Sequence, residues 1–225
     1  MNTFELQQSD SAHYLHPFTD AKALSRNGAR VITRAEGIYL WDSDGNRLLD
    51  GMAGLWCVNV GYGRKRLVDA ARVQLEELPY YNTFFQTTHP PAVALSEKLA
   101  ELAPPGFNRV FLVNSGSEAN DTVLRMVRRY WALEEQPERR VIISRINAYH
   151  GSTVASASLG GQSYIHKMDG LPIPEIEHIE EPYWYVNGGY LSPEAYGLKA
   201  AQELEKKILE VGQERVAAFI GEPIQ

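Results

Sequence analysis

Apolar residues follow two spacings along the chain, one typical of strands and one typical of helices. Short apolar runs predict strands at 31–33 and 38–41, and a return strand from residue 47. The turn 42–45 ends in a glycine, which accepts the positive φ that such turns require. Residues 1–30 are polar and irregular. The sequence therefore predicts an amino-terminal arm followed by a small antiparallel meander.

Helical spacing dominates after residue 63, where apolar residues recur about every four positions. Pro104 and Gly212 are stop signals, and Ser192 followed by Pro193 is typical of a helix start. These patterns predict helices at 67–78, from near His89 to Ala103 with Thr88 as the candidate N-cap, at 117–135, and from 193 to the glycine at 212.

Three apolar runs in the second half of the chain predict buried strands at 109–113, 141–144 and 216–220. The first two, with the helix between them, form a βαβ pattern, which implies parallel strands joined by right-handed crossovers. The predicted fold class is therefore α/β, with a mainly parallel sheet and crossover helices.

The segment NSGSEAND (114–121) lies where the first of these strands turns into a helix, and Ser115 and Glu118 fit the S-x-x-E capping box. Free N–H groups and the dipole of a helix start favour an anion, and Gly116 lets the anion approach the backbone. Phosphate is the natural ligand. On local sequence alone, a capped crossover helix that binds nothing is equally compatible. The P-loop and dinucleotide-binding motifs are absent.

Two further strand ends carry chemically useful side chains, in AYHGST (148–153) and GEPIQ (221–225). Because the carboxyl ends of parallel strands open on one crevice, Tyr149, His150 and Glu222 are expected beside the phosphate loop. An aromatic ring next to a phosphate suggests a planar ligand. Taken singly, each residue has a structural alternative: a core-edge tyrosine, a histidine bonded to a loop, and a strand-terminating turn.

Composition excludes several function classes. The 225 residues carry a net charge of −6 and a pI of about 5.6, without the basic face that nucleic acid requires. Cys57 is the single cysteine, which fits a reducing compartment. The sequence has no apolar leader, no run near the roughly 18 residues of a membrane span, and only scattered histidines. We therefore expect a cytoplasmic protein without a metal site.

Five segments, in order along the chain, resemble motifs of class III aminotransferases: HPFTD (16–20), GLWCVNVGYG (54–63), NSGSEAND, AYHGST and GEPIQ. These enzymes have fold type I and use pyridoxal 5'-phosphate (PLP), and the ω-amino acid:pyruvate aminotransferase (ω-transaminase) group is the most similar. The resemblance covers essentially the whole chain. It implies an arm and meander at 1–53, and the first half of the PLP-binding large domain at 54–225, so that the large domain is incomplete.

The resemblance also implies roles for individual residues. Ser115, Gly116 and Ser117 would bind the cofactor phosphate. Tyr149 would stack on the pyridine ring with His150 beside it, and Glu222 would lie near the 3'-oxygen of the ring. Five residues would shape the substrate pocket, some of them from the second subunit of a homodimer: Phe18, Leu55, Trp56, Phe84 and Phe85. By composition alone, Trp56, Phe84 and Phe85 are more typical of a core or a subunit interface.

The reaction implied is transfer of an amino group from an amine or ω-amino acid to a keto acid such as pyruvate, with PLP as the electron sink. In the family, three further residues lie beyond residue 225. They are the lysine that holds the cofactor as a Schiff base, the aspartate that pairs with the pyridinium nitrogen, and the arginine that binds the substrate carboxylate. We therefore expect an amino-terminal half that is inactive by itself. A non-catalytic phosphate-ligand module or split-protein half, and a fold type I aminomutase or decarboxylase, remain as alternatives.

Overall fold

The computed structural model describes residues 1–168 and 170–225. The chain forms two compact units, Met1–Pro105 (unit 1) and Gly106–Gln225 (unit 2). The boundary predicted between residues 53 and 54 concerns the domains of the complete family fold, and it stays a prediction.

Unit 1 contains five helices and a small antiparallel sheet. Its elements are α1 (Thr3–His13), α2 (Ala21–Asn27), β1 (Ile32–Glu36), β2 (Tyr39–Asp42), β3 (Arg47–Leu49), α3 (Ala53–Trp56), α4 (Lys65–Glu77) and α5 (Pro90–Leu102).

The predicted meander is confirmed. Strand β2 pairs antiparallel with β1 and with β3, where Leu40 lies opposite Leu48. The turn between β2 and β3 is held by Asp42, whose Oδ1 accepts the N–H groups of Asp44 at 3.1 Å and Asn46 at 2.8 Å. A short polar side chain that bonds the backbone two and four residues later fixes such a turn locally, which explains why the sequence predicted it well.

The helix predicted near 89–103 is present as α5, but Thr88 is not its N-cap. His89 occupies that position, and its Nδ1 accepts the N–H of Ala92 at 3.4 Å. Proline has no N–H and its φ is fixed near the helical value, so Pro90 begins the helix and leaves the residue before it as the cap.

Unit 2 has an α/β architecture. Its elements are α6 (Gly116–Leu133), β4 (Val141–Arg145), α7 (Val154–Leu159), α8 (Ser163–His166), β5 (Ile176–Ile179), α9 (Trp184–Asn187), α10 (Pro193–Val211) and β6 (Val216–Phe219).

The sheet of unit 2 is parallel, as predicted. Strand β4 lies between β5 and β6, and Ile143 is opposite both Glu177 and Phe219. All three strands therefore end at the same edge of the sheet, and the loops that follow β4 and β6 lie side by side.

Helices cover both faces of this sheet. On one face Ile142 of β4 packs with Leu124 of α6 and Leu159 of α7. On the other face Val141 and Ile143 pack with side chains of α10. Because successive strand residues point to opposite faces, a strand covered on both sides reads as a continuous apolar run. This explains why the β4 sequence is apolar without alternation.

The prediction of a strand at 109–113 is wrong. These residues have no regular secondary structure, and Phe111 is 68% exposed. A strand requires hydrogen bonds from a neighbouring strand, and no strand of the described chain pairs with residues 109–113. The predicted βαβ unit therefore lacks its first strand, although its helix (α6) and its second strand (β4) are present. Helix α6 begins one residue before, and ends two residues before, the predicted 117–135.

The predicted helix from residue 193 is confirmed as α10, with Ser192 as its N-cap, Pro193 in its first turn and Gly212 as its C-cap at a φ of 98°. No helix in the described part of the chain is both long and apolar enough to cross a membrane.

Candidate functional site

A cavity of about 460 Å³ lies in unit 2 at the start of α6, beside the loop that follows β4. Its lining comes from two stretches of chain about 30 residues apart: Ser115, Gly116, Ser117 and Asn120 from α6 and its cap, and Tyr149, His150, Gly151 and Ser152 from the loop. The structure thus brings together five of the six residues predicted to bind a cofactor.

Helix α6 begins with a partial capping box. Ser115 is the N-cap, and its Oγ accepts the N–H of Glu118 at 3.2 Å, as predicted. The carboxylate of Glu118 does not return to the N-cap residue. It accepts the N–H of Asn114 at 2.9 Å, one residue earlier. The cap therefore extends over Asn114 as well, which fixes how the chain enters the helix.

The first turn of α6 offers N–H groups to the cavity. The first intrahelical hydrogen bond runs from the N–H of Ala119 to the carbonyl of Ser115 at 3.1 Å. The N–H groups of Gly116 and Ser117 precede it and have no partner within the helix. A Cβ on Gly116 would meet no atom within 4 Å. An anion can therefore approach this turn closely, where the helix dipole also favours it.

The loop after β4 packs directly on Ser117. The N–H of Ser152 donates to Ser117 Oγ at 3.0 Å. Gly151 has a φ of 133°, and a Cβ there would overlap Ser117 Oγ and contact Ser156 Cβ at 2.7 Å. Asn120 donates from its side-chain amide to the carbonyl of His150 at 2.6 Å. Only glycine allows this approach, so the Tyr149-His150-Gly151 segment is held on α6.

Glu222 reaches the same loop from the end of β6. Its Oε1 accepts the N–H of Tyr149 at 2.9 Å. Arg145, at the end of β4, donates to the backbone carbonyl of Glu222 at 3.0 Å, and its guanidinium lies 5.3 Å from the centre of the Phe219 ring. The ring of Tyr149 is half exposed. Glu222 does not line the cavity itself; it fixes the backbone that carries the tyrosine.

His150 and Glu222 form a close but unsatisfied pair. His150 Nε2 lies 4.0 Å from Glu222 Oε2, beyond hydrogen-bond distance, and both atoms are buried without a hydrogen-bond partner. Burial lowers the pKa of His150 below 6.5, although the Glu222 carboxylate acts to raise it, so the imidazole is neutral at pH 7. Buried polar atoms without a partner are rare, and they mark places where a further polar group fits.

Sequence reasoning missed several residues of this site, above all Asn120, Asp121, Arg145 and Ser156. Asn120 and Asp121 lie three and four positions after Ser117, so the helical repeat puts them on the same face of α6 as Ser117. That spacing was a usable signal. Arg145 and Ser156 gave no signal, because Arg145 acts through a contact across the sheet edge and Ser156 through contacts between α7 and α6.

Known proteins resemble this chain along its whole length. A protein-family model described as aminotransferase class-III matches residues 22–225. The chain belongs to the class-III aminotransferase family. It is 61% identical over 223 residues to a putrescine–pyruvate aminotransferase of Pseudomonas aeruginosa, a match that covers 99% of this chain and 49% of that protein.

Solved aminotransferase structures confirm fold type I for this class-III aminotransferase. An (S)-enantioselective omega-transaminase from Thermomicrobium roseum superposes with a TM-score of 0.96 at 42% identity, covering 100% of this chain and 50% of that chain. An omega-transaminase from Pseudomonas jessenii in complex with PMP gives 0.94 at 43% identity, covering 97% and 48%. The chain therefore spans about half the length of the relatives it matches, in their amino-terminal portion.

The predicted substrate residues of this class-III aminotransferase all lie in unit 1. They are exposed and come from three segments: Phe18 precedes α2, Leu55 and Trp56 belong to α3, and Phe84 and Phe85 lie between α4 and α5. The Phe84 and Phe85 rings are 6.1 Å apart.

The segment that carries Leu55 and Trp56 is anchored by a carboxylate that sequence reasoning missed. Asp50 Oδ2 accepts the hydroxyl of Tyr62 at 2.7 Å and the N–H of Gly54 at 2.8 Å. The Tyr62 hydrogen bond holds the pKa of Asp50 below 3.8. Leu55 and Trp56 have positive φ values of 59° and 63°, which ordinary side chains rarely adopt. The ionised Asp50 therefore helps to hold an unfavourable backbone conformation.

The described residues contain no group of three or more His, Cys, Asp or Glu side chains arranged to hold a metal ion.

Proposed function

We propose that this chain is the cofactor-binding half of a PLP-dependent aminotransferase that moves an amino group from a diamine or ω-amino acid to a keto acid such as pyruvate. The observation that carries the proposal is one cavity lined by both the start of α6 and the loop that bears Tyr149. The similarity to a putrescine–pyruvate aminotransferase supports the choice of substrates.

The start of α6 fits the phosphate of PLP. The N–H groups of Gly116 and Ser117 precede the first intrahelical bond, the space over Gly116 is open, and hydroxyls of Ser115 and Ser117 flank it. Phosphate oxygens are acceptors with negative charge, and a helix start supplies donors with partial positive charge. These residues would bind the phosphate and orient the rest of the cofactor.

The other end of the cavity fits the ring of PLP. Tyr149 offers a half-exposed aromatic face, and its backbone is fixed by Glu222. The neutral His150 lines the cavity and leaves its buried Nε2 without a partner, available to a group on the ring edge. When bound, PLP supplies an electron-withdrawing ring that stabilises negative charge beside the reacting amine. The role of this chain is to bind that ring and hold its plane.

Three further features belong to the proposal. Phe18, Leu55, Trp56, Phe84 and Phe85 shape the substrate pocket, the complete protein is a homodimer, and it is cytoplasmic. The lysine that completes the chemistry lies in the part of the family fold that follows residue 225. We use "complete subunit" below for these 225 residues together with that remaining length.

The central test is alanine formation from putrescine and pyruvate in the presence of PLP, followed by mass spectrometry. The complete subunit is expected to form alanine, and the 225-residue chain alone is expected to form none. Turnover by the 225-residue chain would contradict the assignment of the lysine to the remaining length. A complete subunit that transfers no amino group from any diamine or ω-amino acid would overturn the proposed reaction and leave an aminomutase or decarboxylase.

A second test addresses the phosphate loop directly. Ser117→Ala in the complete subunit is expected to weaken PLP binding by about tenfold, since one hydrogen bond to a charged group is lost. Ser163→Ala is the matched control, because this exposed serine of α8 does not line the cavity. Fluorescence titration of each PLP-free variant with PLP measures the two affinities. Equal affinities for PLP and for pyridoxal without phosphate would exclude a phosphate site here.

The alternative of a phosphate-binding module without catalysis is tested by borohydride reduction of the 225-residue chain with PLP, followed by peptide mapping. We expect no single lysine to be labelled. Specific labelling of one lysine within residues 1–225 would show that the chain holds its own covalent attachment site.

A further inference from the structure

Asp121 makes an unusual set of contacts next to the cavity. It lies on α6, four residues after Ser117, and its Oδ1 accepts three hydrogen bonds from another part of the chain. The donors are the hydroxyl of Thr153 at 2.7 Å, the hydroxyl of Ser156 at 2.9 Å and the N–H of Ser156 at 3.2 Å. Ser156 is fully buried, so water cannot replace Asp121 as the acceptor for its two donor groups.

The three contacts replace the missing cap of helix α7. Thr153 is the N-cap of α7, but its side chain makes no capping bond. The third residue of that helix is Ser156, whose N–H is the one that an N-cap side chain normally accepts. Asp121 accepts it instead, and Thr153 turns its hydroxyl toward the same carboxylate oxygen. A residue of α6 therefore caps α7 across 35 positions of sequence.

This cap fixes the turn that touches the phosphate loop. Residues 150–153 run from His150 to the start of α7, and within them the N–H of Ser152 donates to Ser117 Oγ. The hydroxyl of Ser156 also lies 2.9 Å from the carbonyl of Ser117. With one lone pair of Ser117 Oγ engaged by Ser152, the orientation of the hydroxyl proton toward the cavity is restricted. Anything that loosens the turn frees that hydroxyl to rotate.

We propose that Asp121 is a positioning residue for PLP: by capping α7 it holds residues 150–153 on α6 and so aims the Ser117 hydroxyl at the phosphate. This inference rests on the function proposed above. Asp121 does not line the cavity, so it acts through Ser117 and the turn rather than by contact with the cofactor. Its effect is on cofactor affinity and on the order of the turn.

The test compares three variants of the complete subunit. Asp121→Ala removes all three acceptor contacts, and we expect it to weaken PLP binding by about tenfold and to speed amide exchange at residues 150–156. Asp121→Asn keeps Oδ1 as an acceptor, so it is expected to restore most of the affinity. Thr153→Val removes one donor of the three and is expected to fall between the two; it also tests the inference should Asp121→Ala fail to fold.

Ser192→Ala is the matched control, because it deletes the N-cap of α10 in the same unit, a 3.2 Å contact to Ala195, away from the cavity. It is expected to lower thermal stability like Asp121→Ala but to leave PLP affinity unchanged. If Ser192→Ala weakened PLP binding as much as Asp121→Ala does, the effect of Asp121 would be one of general stability and not of positioning. Wild-type affinity in folded Asp121→Ala and Thr153→Val would overturn the inference alone, whereas a wild-type protein that binds no PLP would overturn the proposed function with it.

Discussion

Two half-buried histidines make the stability of unit 2 depend on pH. Burial lowers the pKa of both His150 and His178 below 6.5, although the 2.8 Å contact of His178 Nε2 with the carbonyl of Gly160 acts to raise the pKa of His178. In the unfolded chain both rings take up a proton near pH 6.5. Between the lowered pKa values and 6.5 the unfolded state binds more protons than the folded state. Stability must therefore fall as the pH falls through this window, and it is unaffected by these groups well above it.

Thermal unfolding between pH 5 and pH 8 tests this directly. We expect the unfolding midpoint of the wild type to drop below about pH 6.5, and His178→Gln to reduce that drop, because glutamine does not titrate and its amide can still donate to a carbonyl. His13→Gln in the exposed part of α1 is the control. An unchanged pH dependence in His178→Gln would show that its protonation is not linked to folding.

At the scale of elements, the turn at Gly151 decides whether the loop after β4 can lie on α6. Gly151→Ala places a methyl group against Ser117 at a φ that side chains rarely adopt. We expect a loss of about 1–3 kcal/mol in the free energy of unfolding, together with weaker PLP binding. Gly116→Ala is the matched control for stability alone, since its Cβ meets nothing within 4 Å. Denaturant unfolding measures the free energy of unfolding of each variant. Equal values for Gly151→Ala and Gly116→Ala would contradict the predicted clash.

The sequence predicted those elements that are specified by their own residues. The meander has a turn held by Asp42, and α10 has Ser192, Pro193 and Gly212 at its ends, so both were found with nearly correct bounds. The segment 109–113 has the composition of a strand but lacks a neighbour, and composition cannot supply one. In the site, Ser117 and Tyr149 were predicted to lie together at converging strand ends; they do lie together, but only Tyr149 follows a strand in the structure. The cap made by Asp121 was not, because it joins residues far apart in sequence.

For the whole molecule, packing is unevenly distributed between the units. Every buried apolar side chain among the described residues lies in unit 2, from Leu124 to Tyr196, whereas unit 1 exposes large apolar residues such as Trp56 and Phe85. Local stability follows buried contacts. In the 225-residue chain we expect slow amide exchange to be confined to the sheet of unit 2 and its helices α6 and α10. Slow exchange in α4 or α5 would contradict this, and hydrogen–deuterium exchange with mass spectrometry measures it.

The cap that α6 provides for α7 also bears on the order in which unit 2 folds. A helix of 6 residues is far shorter than the roughly 12–15 residues at which isolated helices become marginally stable. We therefore expect α7 to form only after α6 has packed on the sheet. We expect Asp121→Ala to speed unfolding in stopped-flow experiments and to leave refolding unchanged; slower refolding would show that α7 belongs to the folding nucleus. A newly synthesised chain would thus complete its ligand cavity late, and the same cavity would be among the first parts to open.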